Sequence, residues 1–121
     1  EEELEEFQKA LAQMYYDAGR YNESDRVYQE LLKVNKDSRL AMVGISRNLI
    51  ARGRYEDALE VLDICKSFDA SYHEIYRFQM QGYVGTKEYK KAIDAMLVYY
   101  EMTENVDYIY YDLFKKSKSY G

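Results

Sequence analysis

Hydrophobic residues recur along almost the whole chain at the spacing of three or four positions that is typical of an α-helix. The first two stripes of this kind are Leu4, Phe7, Leu11, Tyr15 and Ala18, then Val27, Tyr28, Leu31, Leu32 and Val34. Short polar segments separate the stripes, at residues 19–20, 35–38, 53–54, 69–71, 85–88 and 104–107. No window alternates like a β-strand, so the pattern predicts an all-α chain of about seven helices, each of roughly twelve to fifteen residues.

The chain also repeats itself with a period of 34 residues. Tyr21, Tyr55 and Tyr89 keep this spacing, and each lies in a charged turn. The same register is kept by a small residue, which is Ser24, Ala58 and Ala92, and by an apolar one, which is Tyr28, Leu62 and Met96. A unit of two helices has an apolar face that it cannot bury alone, so neighbouring units are expected to stack into a solenoid.

This register resembles the tetratricopeptide repeat (TPR) family, whose unit is a helix pair with a Gly-x-Tyr turn and a small residue early in the second helix. The segment Tyr-Glu-Asp-Ala-Leu at 55–59 is the best match. The resemblance covers nearly the whole chain and implies one TPR-like domain over 1–121, an all-α, right-handed α-solenoid of antiparallel helix pairs. Its repeats fall at about 5–38, 39–72 and 73–106, and 107–121 is a capping helix or the first helix of a truncated fourth repeat.

Helix ends are one place where the sequence departs from the family. The proline that closes each TPR unit is replaced by Lys36, Ala70 and Glu104. We therefore expect polar turns and helix caps to separate the repeats. Ser71 and Glu74 have the spacing of a capping box, which predicts a helix start near Tyr72.

Residue size is a second departure. The family's small residue in the first helix is Ala12, then Ser46, then Met80. Its small residue late in the second helix is Leu31, then Cys65, then Tyr99. Larger side chains at helix crossings push the axes apart, so we expect the third repeat to pack differently and to change the superhelical angle.

Composition and charge narrow the classes of partner and bear on the compartment in which the protein works. The net charge is −5, which disfavours binding to nucleic acid. No apolar run reaches the roughly 18 to 20 residues of a membrane span, so no membrane insertion by this segment is expected. The single Cys65 cannot form an internal disulfide and favours a reducing, cytoplasmic compartment. The missing initiator Met, and an end that falls where a fourth turn would begin, favour a piece of a longer protein.

Catalytic chemistry has little to build on in this sequence. Cys65 is the only cysteine and His73 the only histidine, and they lie in different predicted helices. Cys65 sits among apolar residues and is expected to be a core residue. A zinc site needs about four ligands, and no nucleotide-binding or hydrolase motif is present. We expect no enzyme activity, no metal and no cofactor.

The resemblance implies that the first helix of each unit lines a concave groove, which binds a peptide or helix of a partner. Carried over residue by residue, it predicts the partner-binding residues Lys9, Gln13, Tyr16, Leu40, Val43, Arg47, Ile50, Arg77, Gln81 and Val84. A clamp for C-terminal carboxylates is well known in the family, but Gly44, Glu74 and Phe78 occupy three of its positions here. We therefore expect no binding of the acidic tails of chaperones.

The expected function is that of a protein–protein interaction module within a larger scaffold or regulatory protein. Arg47 and Arg77 beside apolar groove residues suit an amphipathic or extended partner segment that carries acidic residues. In the alternative interpretation of these arginines, they pair with Glu74 and other neighbours inside the protein. The alternative function is a structural segment of a longer repeat array, which self-associates into a homo-oligomer through its open ends.

Overall fold

The computed structural model describes residues 2–104, and the segment that holds the predicted seventh helix lies outside them. The described part is all-helical. Its helices are α1 (Glu2–Asp17), α2 (Tyr21–Val34), α3 (Arg39–Ala51), α4 (Tyr55–Phe68), α5 (Glu74–Gly85) and α6 (Tyr89–Thr103). The all-α prediction is confirmed, and the second helix of every pair begins at one of the three tyrosines that mark the repeat.

The helices form a stack of three pairs, α1–α2, α3–α4 and α5–α6. Three-residue connections within each pair make its helices antiparallel neighbours. Between pairs, α2 packs on α3 and α4 on α5, and α3 also contacts α5. This arrangement places the first helices side by side, which is the geometry that a groove along them requires.

A Schellman motif forms the turn within each pair, and it recurs with the 34-residue period. In the first turn the N–H of Gly19 donates to the carbonyl of Tyr16 at 2.9 Å, and the N–H of Arg20 donates to that of Tyr15 at 2.8 Å. Gly19 has φ 75°, and Gly53, at the same place in the second turn, has φ 77°. A left-handed residue at this point satisfies the last helix carbonyls and reverses the chain sharply.

In the third turn, Lys87 takes the position that glycine holds in the first two. Its φ is 65°, and its N–H donates to the carbonyl of Val84 at 3.1 Å. The glycine of this segment, Gly85, instead ends α5 and lies against the ring of Tyr55. A Cβ atom at Gly85 would come within 2.4 Å of the Tyr55 ring. The third turn thus keeps the geometry of the others with a different residue.

Polar turns separate the repeats, as predicted from the missing prolines. The side-chain oxygen of Asn35 accepts the N–H of Asp37 at 3.1 Å, and that of Asp69 accepts the N–H of Ser71 at 3.0 Å. Asn35 and Asp69 are 34 residues apart and end α2 and α4. Each oxygen therefore holds an Asx turn that carries the chain to the next pair.

The capping box predicted at Ser71 is wrong. The Ser71 hydroxyl donates to Asp69 at 2.5 Å, and α5 begins only at Glu74. A serine side chain caps the preceding first helix instead: the Ser38 hydroxyl accepts the N–H of Ala41 at 3.2 Å at the start of α3, without the reciprocal bond of a capping box. Tyr72 occupies the corresponding place before α5, and it cannot cap a helix as serine does.

The main core cluster lies between the second and third pairs. Its buried members are Met42, Val43, Leu62, Cys65, Ile75, Tyr76, Phe78 and Tyr99. Cys65 is fully buried there, which confirms its predicted place in the core, and burial raises the pKa of its thiol to about 11.

Met80 is accommodated by a smaller partner in the third pair. It is 3% exposed and packs against Ala92, Ala95 and Met96. The residues 34 and 68 positions before Ala95 are Val61 and Val27. Alanine lacks two methyl groups of valine, which offsets part of the added volume of Met80. The change of superhelical angle stays a prediction.

The two junctions between pairs differ in chemistry. At the first, the buried Asn48 donates to Asp25 at 2.7 Å, and Arg52 forms an ion pair with Asp25 at 2.6 Å. At the second, the corresponding positions of Asp25 and Asn48 hold Leu59 and Gly82. A Cβ atom at Gly82 would lie 2.9 Å from Leu59, so this contact is close and apolar.

Candidate functional site

A groove with a volume of about 470 Å³ runs along the first helices of the three pairs. The described residues that line it are Lys9, Gln13, Tyr16, Tyr28, Leu40, Val43, Gly44, Arg47, Tyr72, Glu74, Arg77, Phe78 and Gln81. Residues from α1, α3 and α5 therefore converge on one surface. The spacing of three and four positions along each helix brings this about, because it keeps side chains on one face.

Eight of the ten residues predicted to bind a partner line this groove, and Ile50 and Val84 do not. Ile50 packs against the main core cluster, and Val84 packs against the cluster around Met80. Both occupy the register of Tyr16, one and two repeats later. The tyrosine is long enough to reach the groove, whereas the shorter aliphatic side chains are used in packing. The part of the other eight in binding stays a prediction.

Arg47 is held in the groove by two neighbours from α1. Its Nη1 donates to the side-chain oxygen of Gln13 at 2.7 Å, and its guanidinium carbon lies 3.9 Å from the centroid of the Tyr16 ring. Its Nε and Nη2 are buried and have no hydrogen-bond acceptor among the described residues. Buried donors are usually paired, so these two N–H groups mark a place where an acceptor would be stabilised.

Arg77 has a different environment. Its Nη1 lies 3.3 Å from a carboxylate oxygen of Glu74, and the Nε2 of His73 lies 3.7 Å from the other oxygen. The alternative interpretation, in which the groove arginines pair with Glu74 and other neighbours inside the protein, therefore describes Arg77 through Glu74 and describes Arg47 in part, through Gln13 and Tyr16. His73 is half-exposed and lies just before the first turn of α5.

The groove carries more positive than negative charge. Lys9, Arg47 and Arg77 are its basic lining residues among those described, and Glu74 is the acidic one. Burial raises the pKa of the Tyr28 hydroxyl, while the positive charge of Arg47 acts in the opposite direction. The protein as a whole has a net charge of −5, so this cationic surface is local.

Three aromatic lining residues are not among the ten predicted ones: Phe78, Tyr28 and Tyr72. The last two were missed because they do not come from a first helix. Tyr28 belongs to α2, and its ring reaches the groove across Gly44, where a Cβ atom would lie 2.2 Å from the Tyr28 ring. Tyr72 belongs to the connection before α5. The one sequence signal for Tyr28 is a glycine in the middle of α3, because a helix interior disfavours glycine unless something packs closely there.

Other chemistry finds no support in the part of the chain that the structure describes. No group of three or more His, Cys, Asp or Glu residues in it could hold a metal ion. None of the described helices is both long enough and apolar enough to cross a membrane.

Comparison by sequence gives a distant relative. No family model matches the chain. The human protein O-mannosyl-transferase TMTC1 is 27% identical over 86 residues, which are 71% of this chain and 10% of that protein. The chain therefore spans about a tenth of the length of this relative.

Comparison by structure gives matches that cover nearly the whole chain. The first TPR domain of human RPAP3 has a TM-score of 0.85 at 12% identity, over 93% of this chain and 87% of that one. The first TPR of Spaghetti (RPAP3), bound to the HSP90 peptide SRMEEVD, has a TM-score of 0.83 at 12% identity, over 93% and 89%. The Yersinia enterocolitica type III secretion chaperone SycD, with a peptide of the translocator YopD, has 0.79 at 17% identity, over 93% and 91%.

The chain is a helical-repeat protein whose paired helices stack in register over the described residues. Its particular fold is that of a tetratricopeptide repeat domain, which confirms the fold that the 34-residue register resembles.

Proposed function

We propose that this protein is an interaction module that holds a peptide or helix of a partner protein in the groove between α1, α3 and α5, as part of a larger scaffold or regulatory protein. Two proteins with the same fold support the proposal, since one is bound to an HSP90 peptide and the other to a peptide of the translocator YopD. The sequence identity to both is low, so the partner proposed for this protein follows from the chemistry of this groove alone.

Arg47 is the observation that carries the proposal. Its unused Nε and Nη2 lie on one edge of the guanidinium and are covered in the unbound protein, so a partner carboxylate that accepts two parallel hydrogen bonds from them must displace the side chains that cover them. Leu40 and Val43 supply apolar surface beside it. The partner is therefore an amphipathic or extended segment with an acidic residue that reaches Arg47 and apolar residues that cover Leu40 and Val43.

The acidic group belongs within the partner segment and not at a C-terminal tail. The clamp that TPR domains use for C-terminal carboxylates needs basic and amide side chains, and Gly44, Glu74 and Phe78 line this groove instead. Glu74 would also repel a second carboxylate. We expect the HSP90 peptide SRMEEVD to bind this protein much more weakly than an internal acidic segment does.

The test is a binding titration with synthetic twelve-residue amphipathic peptides that carry one internal Glu residue, each paired with a peptide that has Gln in its place. Arg47→Ala should weaken binding of the Glu peptides by about tenfold or more, because a hydrogen bond to a charged group contributes about 1.5–3 kcal/mol. It should leave binding of the Gln peptides nearly unchanged.

Arg54→Ala is the matched control. Arg54 is 59% exposed and pairs with Asp57 at 2.7 Å, away from the groove. Removing it should not change the affinity for any of the peptides. If Arg47→Ala and Arg54→Ala bind the Glu peptides as tightly as the wild-type protein does, the groove is not the binding site.

We also infer that the protein is not an enzyme. The neighbours in structure are TPR domains, and the chain's single thiol supports the same reading. Because burial raises the pKa of Cys65 to about 11, the thiol is protonated at neutral pH and makes a poor nucleophile.

The second candidate function is a structural, self-associating segment of a longer array. The observation that favours it is the exposure of large apolar residues on α1, where Leu4, Phe7 and Met14 are 56%, 63% and 69% exposed. Light scattering over a concentration series tests this candidate. A monomer at every concentration rules it out.

A further inference from the structure

A second cleft lies between the second helices α4 and α6, on the side of α5 that faces away from the groove. Its volume is about 320 Å³, which is at the lower end of the range for ligand sites. Tyr76, Gln79 and Tyr83 of α5 form its floor, and none of the residues that line it lines the groove. Described helices therefore enclose this cleft on three sides, within the stack and not at its open start.

The internal repeat shows that the second pair has no such cleft. Where the cleft has Lys66, Gln79 and Ala95, the residues 34 positions earlier are Leu32, Ile45 and Val61. These three apolar side chains pack against the core clusters. The third pair has polar or smaller residues at the same positions, so the surface there is polar and open.

The floor of the cleft holds a buried amide, which belongs to Gln79. This residue is 5% exposed, and its Nε2 donates to Asp63 at 3.4 Å, which is longer than a normal hydrogen bond. Buried polar groups are usually well paired. A side-chain amide has the same donors and acceptor as a peptide group, so Gln79 can pair with the N–H or C=O of another chain.

The two ends of the cleft are positively charged. The Nζ of Lys66 lies 5.4 Å from the centroid of the Tyr76 ring, and that of Lys91 lies 5.8 Å from the centroid of the Tyr83 ring. The two tyrosines are two helical turns apart, which separates the cations by about 10 Å along α5. Lys91 also pairs with Glu88 at 3.0 Å, whereas Lys66 forms no ion pair with another described residue.

The middle of the cleft is negatively charged. Asp63 of α4 contacts Gln79, which lies between the two tyrosines on α5. Asp94 lies one turn after Lys91 on α6, which runs antiparallel to α5 and so carries it back towards Gln79. Glu88 is the main cause of the raised pKa of Lys91, and the charge of Asp63 adds to it from the opposite wall. The order of charges along the cleft is therefore positive, negative, positive.

This order suits an extended chain better than a helix. In a strand, every second side chain points the same way, and these side chains are about 6.7 Å apart. Three of them span about 13 Å, which the long lysine side chains can match. A docked helix would need an apolar stripe to cover, but Ala95 and Val98 are the only aliphatic lining residues among those described.

We propose that the cleft between α4 and α6 binds an extended segment of a partner protein with the order acidic-x-basic-x-acidic. The Lys or Arg residue of the segment lies between Asp63 and Asp94, and a peptide group beside it pairs with Gln79. Its two acidic residues lie next to Lys66 and Lys91. The cleft and the groove lie on opposite sides of α5, so the protein can hold two partner segments at once.

The probe is the peptide Thr-Glu-Thr-Lys-Thr-Glu-Thr with blocked ends, in which threonine favours the extended conformation. Its control, Thr-Lys-Thr-Glu-Thr-Glu-Thr, has the same composition and a different charge order. Each is titrated into the ¹⁵N-labelled protein, and NMR chemical shifts give the dissociation constant. The first peptide should shift the side-chain amide signals of Gln79 and bind at least about fivefold more tightly at low salt.

Lys66→Glu tests the charge order from the side of the protein. It should weaken binding of the first peptide by at least about fivefold and favour Thr-Glu-Thr-Lys-Thr-Lys-Thr instead, because the reversed charge now attracts a lysine. Lys66 is exposed, so the fold should be retained. Lys33→Glu makes the same charge change on α2, where the side chain is 72% exposed, and should leave both affinities unchanged.

Two further variants locate the site. Gln79→Ile gives the floor the residue that the second pair has at this place, and it should abolish binding while thermal unfolding shows that the fold persists. Arg47→Ala should bind the first peptide as the wild-type protein does, which keeps the result independent of the proposed groove. Three results would overturn the proposal: no shift of the Gln79 signals, equal binding of the two peptides, or equal binding by Lys66→Glu.

Discussion

Lys87 adopts a backbone conformation for which the other two turns use glycine. The left-handed region crowds an L side chain and costs about 1 kcal/mol or more relative to glycine. The sequence hides this site, because the third turn does contain a glycine. Gly85, however, lies two positions earlier and makes room for the Tyr55 ring. Only the backbone shows which of the two residues carries the positive φ.

Replacing Lys87 with glycine should therefore stabilise the protein. Lys87→Gly relieves the strain of the left-handed conformation, and we expect the free energy of unfolding to rise by about 1 kcal/mol. Urea denaturation measures the change. The matched control is Lys90→Gly, at an exposed helical position of α6, which should lower the free energy of unfolding by up to about 1 kcal/mol. Loss of stability in Lys87→Gly would show that the lysine side chain has a role of its own.

At the scale of helices, the junction between α2 and α3 depends on a close fit of unequal partners. The Tyr28 ring occupies the space that any side chain at position 44 would need. One repeat later, the corresponding residues are Leu62 and Phe78, so the large partner has moved to the other helix. The 34-residue pattern predicts that these positions meet, but it cannot tell which helix supplies the bulk.

A double-mutant cycle tests this fit. Gly44→Ala should destabilise the protein by roughly 1–3 kcal/mol, because the new methyl group collides with the Tyr28 ring. In a Tyr28→Leu background the same change should cost little, since the shorter side chain leaves room and alanine favours the helix. Free energies of unfolding from urea titrations give the four corners of the cycle. Additive effects would mean that Tyr28 and Gly44 are not coupled.

A second prediction at this scale concerns Asp69, which ties the end of α4 to the start of α3. The pKa of this carboxyl is held below its usual value. The largest contribution comes from hydrogen bonds that Ser71 donates, and the ion pair with Arg39 adds to it. A carboxyl with a lowered pKa stabilises the fold above its unfolded-state pKa. That stabilisation is lost as the pH falls through the folded-state value.

Asp69→Asn should thus be less stable than the wild-type protein at pH 7, and the difference should shrink as the pH falls below the ordinary range of aspartate. Thermal unfolding between pH 7 and pH 2 measures the gap. Asp94→Asn, which removes an exposed carboxylate from α6, is the control for the loss of one negative charge. A gap that stays constant with pH would mean that asparagine costs stability through geometry and not through charge.

For the whole molecule, the repeat determines most of what could be foreseen. The order of helices follows from positions that recur every 34 residues. The face that forms the groove is implied by the resemblance to the TPR family, so Lys9, Arg47 and Arg77 could be placed together before the structure was known. The contact between Arg47 and Gln13 could not be foreseen, because it depends on the distance between α1 and α3. Ile50 and Val84 do not line the groove because their side chains are short. The 34-residue register alone does not show which side chains are long enough to reach it.

Cys65 offers a test of how the second and third repeats open. It lies in the cluster between them, protonated and fully buried. We expect iodoacetamide to label it at pH 8 at least about a hundredfold more slowly in the native protein than in urea, since reaction needs both exposure and ionisation. Mass spectrometry measures the rate. Rapid labelling of the native protein would show that this junction opens without global unfolding.

The contrast between the two junctions means that the repeats cannot exchange places in the stack. Exchange of the first and second helix pairs would place Asp25 opposite Gly82, with no Asn48 or Arg52 to receive its charge. Leu59 would in turn face Met14, whose long side chain would fill the space that Gly82 leaves open for Leu59. A chain with these repeats exchanged would keep every residue and every helix and still pack poorly, because each junction depends on its own pair of matching residues.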